Sequence, residues 1–336
     1  MRNRTWIIRA PSRGRYDPKC LRLEDRDIPA LEPGRVLVKT RLLSVDPTTR
    51  NWLKLDPDMT FLPLAVGDPM VGVGVGEVVE SDTERFRTGD LVSGLWTWQE
   101  YAVADPALLE KQTPRDGVPE EAYVSVFSHI GRAAAIGILE VGALAPSDLV
   151  VVSGAAGATG GIAVQIAKAR GCRVIGIAGG PEKCAYVTEI GADAVIDYKS
   201  EDLGKRLAAL CPDGVDLFFD NVGGAVLDAV LENMANGCRI VACGAISQYD
   251  LAGAADAYGV RNLPLLLFKN ARIEGFVVPR FADRIPEFDA VLHDLFATGR
   301  LRQRSHVVEG IENAADAVSM LFDGSNSGKL MVRTSA

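Results

Sequence analysis

Gly154, Gly157 and Gly160 fall at three-residue intervals between an apolar run, Leu149 to Val152, and a helical pattern carrying Ile162 and Ile166. The run reads as a strand buried on both faces, the glycines as a tight turn, and the rest as a helix that closes at Gly171. A turn of this kind lets backbone N–H groups and the positive end of the helix dipole approach a pyrophosphate, which any side chain beyond hydrogen would obstruct. A dinucleotide is therefore expected here. The next strand ends Ile177-Ala-Gly-Gly-Pro-Glu-Lys183, with no carboxylate at its tip to accept from a ribose 2′-hydroxyl. Lys183 could supply positive charge to a 2′-phosphate, so NADP is favoured over NAD. A solvated helix-face lysine fits the residue as well, and Glu182, one turn into the loop, stays open as a ribose-binding acid.

The elements around this turn divide the chain. The first third is β-rich: Thr5 to Arg9, Arg35 to Leu43, Val71 to Glu80 and Leu91 to Val103 read as strands, set off by turn signals such as Pro33-Gly34, Asp56-Pro57 and Thr88-Gly89-Asp90. Gly72, Gly74 and Gly76 alternate within one of these strands with no helix after them, which points to close strand packing or a barrel bend. From Glu120 to Leu144 the pattern turns helical. After the glycine turn, strands at Arg173 to Ala178, Ala194 to Asp197, Val215 to Asp220, Arg239 to Gly244 and Arg272 to Val278 follow. Helices at Pro181 to Ile190, near Leu203 to Leu210 and at Val226 to Met234 lie between them. Such alternation predicts a parallel, doubly wound sheet. The long connection Ser247 to Asn270, apolar from Leu263 to Phe268, is expected to be a helical lid.

A net charge of −8 argues against a nucleic-acid partner. No apolar run approaches the roughly 20 residues of a membrane span. Met1 to Arg15 is broken by Arg4, Arg9, Pro11 and Arg13 before a signal-peptide core could form, so a cytoplasmic location is expected. The six cysteines include no C-x-x-C pair, and the three histidines, His129, His293 and His306, have no close spacing to one another or to cysteine. Neither disulfides nor a metal is expected.

Taken together, the residues resemble the medium-chain dehydrogenase/reductase superfamily, and within it the zinc-free branch of leukotriene B4 dehydrogenase/prostaglandin reductases, double-bond reductases and curcumin reductases. The resemblance rests on Arg2-Asn-Arg-Thr-Trp6, Leu43-Ser-Val-Asp-Pro47, Val78-Val-Glu-Ser81, Ser153 to Gly160, Glu182-Lys-Cys184, Phe219 to Gly224, Cys243 to Ser247 with Tyr249, Gly275-Phe-Val-Val278 and Asn326-Ser-Gly-Lys329. It implies an α/β protein with a GroES-like β-rich catalytic domain at residues 1–125, completed by 301–336, and a Rossmann NADP-binding domain at 126–300. It implies NADPH as cofactor, a homodimer, and pyrophosphate contacts from Gly157, Ala158, Thr159 and Gly160. By the same resemblance Lys183 and Tyr198 would take the 2′-phosphate, and Asn221, Cys243, Ala245, Phe276, Val278 and Asn326 would line the adenosine or nicotinamide portions. Taken alone, Tyr198 also suits a half-buried core aromatic, Asn221 and Asn326 suit turns, and Cys243 suits a small packing residue.

The reaction implied is hydride addition to the β-carbon of an enone or enal, a small-molecule substrate. The enolate so formed needs a hydrogen-bond donor. Tyr249, just past the fifth Rossmann strand, is the candidate, and anchoring the cofactor ribose is its alternative role. Where relatives read Asp-Pro-Tyr-Met-Arg this chain has Asp46-Pro-Thr-Thr-Arg50, and where they read Gly-x-Thr-Ala-Tyr it has Gly131-Arg-Ala-Ala-Ala135. Thr48, Ala133 and Ala135 thus reshape the pocket, with Trp52, Trp96 and Trp98 as candidate apolar walls or as core residues. An NADPH:quinone reductase and a non-catalytic NADPH-binding protein are the other two readings.

Overall fold

The computed structural model describes residues 2–56 and 62–334. The chain forms two compact units, Met1–Val124 with Ser305–Ala336, and Ser125–Arg304. The second boundary thus falls after Arg304 instead of after residue 300. The Asp56-Pro57 turn signal runs into residues 57–61, outside the described residues.

In the first unit β1 (Arg2–Ile8) pairs antiparallel with β2 (Leu21–Asp27). Strands β3 (Val36–Ser44), β4 (Val71–Ser81), β5 (Leu91–Thr97), β6 (Tyr101–Ala104) and β7 (Leu109–Gln112) follow, with helix α1 (Thr48–Trp52) after β3. The chain later returns to this unit with β14 (Ser305–Glu309), α9 (Ala314–Asp323) and β15 (Lys329–Arg333). The larger sheet runs β14-β15-β3-β4-β5-β7, with β6 also paired to β3. Two of the alternating glycines of β4 make room for indoles. A Cβ on Gly72 would fall on Trp98 Nε1, and one on Gly74 would lie 2.6 Å from Trp96 Cζ2. Close packing is thus what these glycines serve.

The second unit opens with α2 (His129–Ala135), which widens into a π turn at Ile136–Val141, both within the stretch Glu120 to Leu144 whose pattern reads as helical. Then come β8 (Leu149–Ser153), α3 (Ala158–Ala169), β9 (Arg173–Ala178), α4 (Pro181–Glu189), β10 (Ala194–Asp197) and α5 (Leu203–Leu210). The unit continues with β11 (Val215–Asp220), α6 (Gly224–Glu232), β12 (Met234–Ala242), α7 (Leu265–Phe268), β13 (Arg272–Gly275) and α8 (Ile285–Ala297). The sheet order is β10-β9-β8-β11-β12-β13 and every pairing in it is parallel. The order reverses beside β8, and a crevice at such a reversal is where doubly wound sheets bind ligands.

Burial explains these elements. Val150, Val151 and Val152 are wholly inaccessible, as a strand covered on both faces requires. Ile162, Val164 and Ile166 of α3 are equally buried, each contributing about 1.5–3 kcal/mol. The helix ends at Gly171, whose φ of +86° a side chain would resist. Two expectations fail at β13 and in the preceding connection. The strand stops at Gly275, because Val278–Arg284 turns as a 3-10 helix with Pro279 in its first turn. The connection is no continuous helical lid but short 3-10 turns at Ile246–Gln248 and Ala254–Asp256, then the one-turn helix α7. Among the described residues no helix is long and apolar enough to cross a membrane.

Candidate active site

Strand polarity gathers the expected residues of the second unit. Gly157 to Gly160 follow β8, Lys183 follows β9, Tyr198 follows β10, Asn221 follows β11, Cys243 to Tyr249 follow β12, and Phe276 with Val278 follow β13. All lie past the carboxyl ends of the strands of one sheet.

The glycine turn fits a pyrophosphate. Gly157 caps α3 without any side-chain hydrogen bond, so the first-turn amides at Ala158, Thr159 and Gly160 keep their donors for an anion. Gly154 stands at φ +57°, and a Cβ on Gly160 would run into the Gly154 carbonyl oxygen, which ties the turn to glycine at both positions. Beneath it, the tips of three strands are tied together. Ser153 Oγ donates to Asp220 Oδ1 at 2.7 Å, and the Asn221 amide donates back to Ser153 Oγ at 2.8 Å. Asn221 Nδ2 donates to the Ser153 carbonyl at 2.7 Å. The Cys243 and Gly244 amides reach the Asp220 carbonyl at 2.9 and 3.0 Å. Burial raises the pKa of the Asp220 carboxyl despite donors from Gly223, Ser153 and Val222. Ser153 and Asp220 were not singled out as site residues from sequence. The available signal was a polar residue closing each of two apolar strands.

At the tip of β9, Gly179 and Gly180 carry no carboxylate, and Gly180 stands at φ +90°. The Gly180 amide donates to Asp197 Oδ1 at 2.8 Å, so the nearest strand-end acid, on β10, holds the loop. Tyr198 is half exposed and its ring lies across Gly179, where a Cβ would come within 2.7 Å of the ring. Lys183 lies in the first turn of α4. Glu182 points outward, 82% exposed, and reaches Arg304 at 3.8 Å.

Tyr249 closes the 3-10 turn Ile246–Gln248. Its hydroxyl oxygen accepts from the Ala245 amide at 3.0 Å. Burial raises its pKa, with the Ala245 amide working against that, so the phenol keeps its proton at neutral pH. Since the oxygen is held as an acceptor, the O–H is left to donate elsewhere. Burial likewise pushes the Cys243 thiol up to about 12, with Asp220 adding to it. That rules the thiolate out as a nucleophile at neutral pH. Phe276 packs on the π turn, where a Cβ on Gly137 would lie 2.9 Å from its ring, and Val278 is half-buried beside it in sequence.

The remaining expected residues belong to the first unit. Thr48 is exposed at the start of α1, and Trp52 packs partly buried against a core that includes Leu53, Met70 and Trp98. Trp98 is wholly inaccessible in that core. This places it as packing and not as a pocket wall, and its Nε1 has no hydrogen-bond partner among the described residues. Trp96 is also buried, its Nε1 donating to Thr40 Oγ1 at 3.1 Å. Asn326 Nδ2 donates to the Gly328 carbonyl at 3.2 Å, a turn contact. Among the described residues no three His, Cys, Asp or Glu side chains form a metal-binding group.

Residues 4–111 match the family model described as the N-terminal domain of oxidoreductase, and residues 158–297 match the one described as zinc-binding dehydrogenase. A putative NADP-dependent oxidoreductase of Bacillus subtilis is 39% identical over 317 residues, covering 94% of this chain and 92% of its own. The NADPH-dependent curcumin reductase of Escherichia coli is 35% identical over 338 residues, covering 99% and 97%. The crystal structure of CurA from Vibrio vulnificus in complex with NADPH superposes with a TM-score of 0.92 at 34% identity, covering 99% of each chain.

Proposed function

Because the chain belongs to the zinc-free reductase branch of the medium-chain dehydrogenase/reductase superfamily, we propose that it uses NADPH to reduce the carbon–carbon double bond of α,β-unsaturated ketones and aldehydes. The observation that carries this reading is the dinucleotide cradle of α3 beside a β9 tip that has no carboxylate, flanked by Lys183 and Tyr198. The curcumin reductase relative supports the alkene as the bond reduced. When bound, NADPH supplies a hydride to the β-carbon of the substrate.

The chain's own residues do the rest. The amides of Ala158 to Gly160 hold the pyrophosphate, and Lys183 with Tyr198 hold the 2′-phosphate. Asn221, Cys243, Ala245, Phe276 and Val278 of the second unit shape the space around the adenosine and nicotinamide. Hydride addition at the β-carbon places negative charge on the carbonyl oxygen, and the Tyr249 hydroxyl donates to it. In this reading Thr48 and Trp52, on α1 of the first unit, are the candidate substrate contacts.

The test is NADPH oxidation followed at 340 nm across enones, enals and quinones. Turnover of enones above quinones supports the reading. Faster turnover of quinones would make the chain a quinone reductase, and tight NADPH binding without oxidation across the whole series would make it a binding protein. Cofactor choice tests the cradle separately. NADPH should be preferred over NADH by kcat/KM, and Lys183→Ala should erode that preference about tenfold or more through KM, the scale of one charge-assisted hydrogen bond. An unchanged ratio would remove Lys183 from the phosphate site.

We place the protein in the cytoplasm, as a homodimer. The edge strand β13 ends its sheet, and Leu267 and Phe268, on the preceding helix, are 76% and 75% exposed. An unpaired edge and exposed apolar side chains are both usually covered. Light scattering at micromolar concentration should give twice the chain mass, and a monomer mass would count against the dimer.

A further inference from the structure

We propose that Asp228, on α6, is a positioning residue for Tyr249: through Tyr258 and Gln248 it latches the loop 246–262 and so fixes where the Tyr249 hydroxyl stands. The proposal rests on the reading of Tyr249 as the donor to the substrate. Asp228 is 5% exposed, and three donors converge on its carboxylate. These are Tyr258 Oη at 2.8 Å, the Arg261 amide at 3.0 Å and the Asn262 amide at 2.8 Å. Tyr258 passes the constraint back along the chain, its amide donating to Gln248 Oε1 at 2.8 Å. Gln248 is the last residue of the 3-10 turn that Tyr249 closes.

The near end of the loop rests on the turn that leads into the same helix and on its first residue. Ser247 Oγ donates to the Val222 carbonyl at 2.6 Å, and Gln248 Nε2 donates to Ser247 Oγ at 2.9 Å. A Cβ on Gly224 would stand 2.8 Å from both Ser247 Oγ and Gln248 Nε2, so a larger residue there would push the turn away. Gly224 and Asp228 are four residues apart, on one face of α6. One helix face therefore seats the turn and pins the far end of the loop. Burial opposes the Asp228 charge, but the Asn262 amide, the Tyr258 hydroxyl and the Arg261 amide outweigh it and hold the carboxyl below its usual value. An anionic acceptor of this kind makes stronger hydrogen bonds than a neutral one.

A double-mutant cycle tests the coupling. Tyr258→Phe and Asp228→Asn should slow single-turnover hydride transfer at saturating NADPH by about tenfold to a hundredfold, the scale of a misplaced reacting group. In a Tyr249→Phe background, Tyr258→Phe should add no further loss. In the protein without NADPH, amide hydrogen exchange should quicken across 245–249 in Tyr258→Phe as well as across 258–262. Transfer at the wild-type rate in Tyr258→Phe, additive losses in the cycle, or exchange that quickens only across 258–262 would each overturn the latch while leaving Tyr249 in the chemistry. A wild-type rate in Tyr249→Phe would overturn both. If Asp228→Asn does not fold, the Tyr258→Phe arms decide alone, since they remove a single hydroxyl.

Discussion

Lys329→Met should lower the stability of the first unit by about 3–5 kcal/mol, the usual loss when one partner of a buried ion pair is removed. Lys329 is 2% exposed at the start of β15. Its ammonium donates to the Val45 carbonyl at 3.0 Å, the Leu330 carbonyl at 2.7 Å and Asp46 Oδ1 at 3.2 Å. All three donors of the ammonium are thus used. A methionine fills the volume of the stem but leaves the Asp46 charge and two carbonyls without that donor, and such a deficit is not recovered by packing. In a unit of this size the loss should appear as a fall of roughly 10 °C in the melting midpoint. A calorimetric midpoint equal to wild type would show that water replaces the ammonium at no cost.

The same lysine fixes the sign of a pH dependence. Burial lowers its pKa below the ordinary lysine value of 10.5, with Asp46 acting in the opposite direction. Between the folded and unfolded values the unfolded chain binds more protons, so stability contributed by this group rises with pH across that window. Relative to Lys329→Met, the wild type should gain stability as pH climbs towards 10.5. A gap that narrows on the alkaline side would contradict the burial.

The strands of the parallel sheet were legible because both faces are covered. Val215 to Asp220 and Ala194 to Asp197 are short apolar runs between turn residues, and each matches its observed strand end for end. In the first unit, β2 reads Leu-Arg-Leu-Glu-Asp-Arg-Asp, and most of its side chains are exposed or only half-buried, so its charges hid it. At β7, Leu-Glu-Lys-Gln at a sheet edge was hidden for the same reason. The π turn at Ile136–Val141 has no periodicity of its own to read.

At the candidate site, the glycine turn and Lys183 could be proposed from local pattern, while Asn221 and Tyr249 came from the family resemblance, each lying past a strand end. Residues defined by long-range contact could not be proposed from local pattern. Ser153 meets Asp220 across 67 residues, and Lys329 meets Asp46 across 283. Trp98 shows the limit from the other side. Its type allowed a pocket wall or a core residue, and its complete burial, with the indole against Gly72, decides between them.

Tyr249→Phe should lower kcat by about a hundredfold, close to 3 kcal/mol, while NADPH affinity changes little. The reason lies in how the hydroxyl is held. The Ala245 amide occupies an acceptor site of the oxygen at 3.0 Å, and burial keeps the phenol protonated, so its one proton is available to charge developing outside the turn. A donor prepared in this way costs no reorganisation at the moment of reaction, and its removal is felt in the transition state more than in the ground state. If Tyr249 instead anchors the ribose, the substitution should weaken NADPH binding and leave kcat at saturation intact. Single-turnover hydride transfer at saturating NADPH, with one enone that the wild type reduces well, separates these outcomes. A transfer rate equal to wild type with weaker cofactor binding would assign the tyrosine to the ribose and leave solvent as the proton source for the enolate.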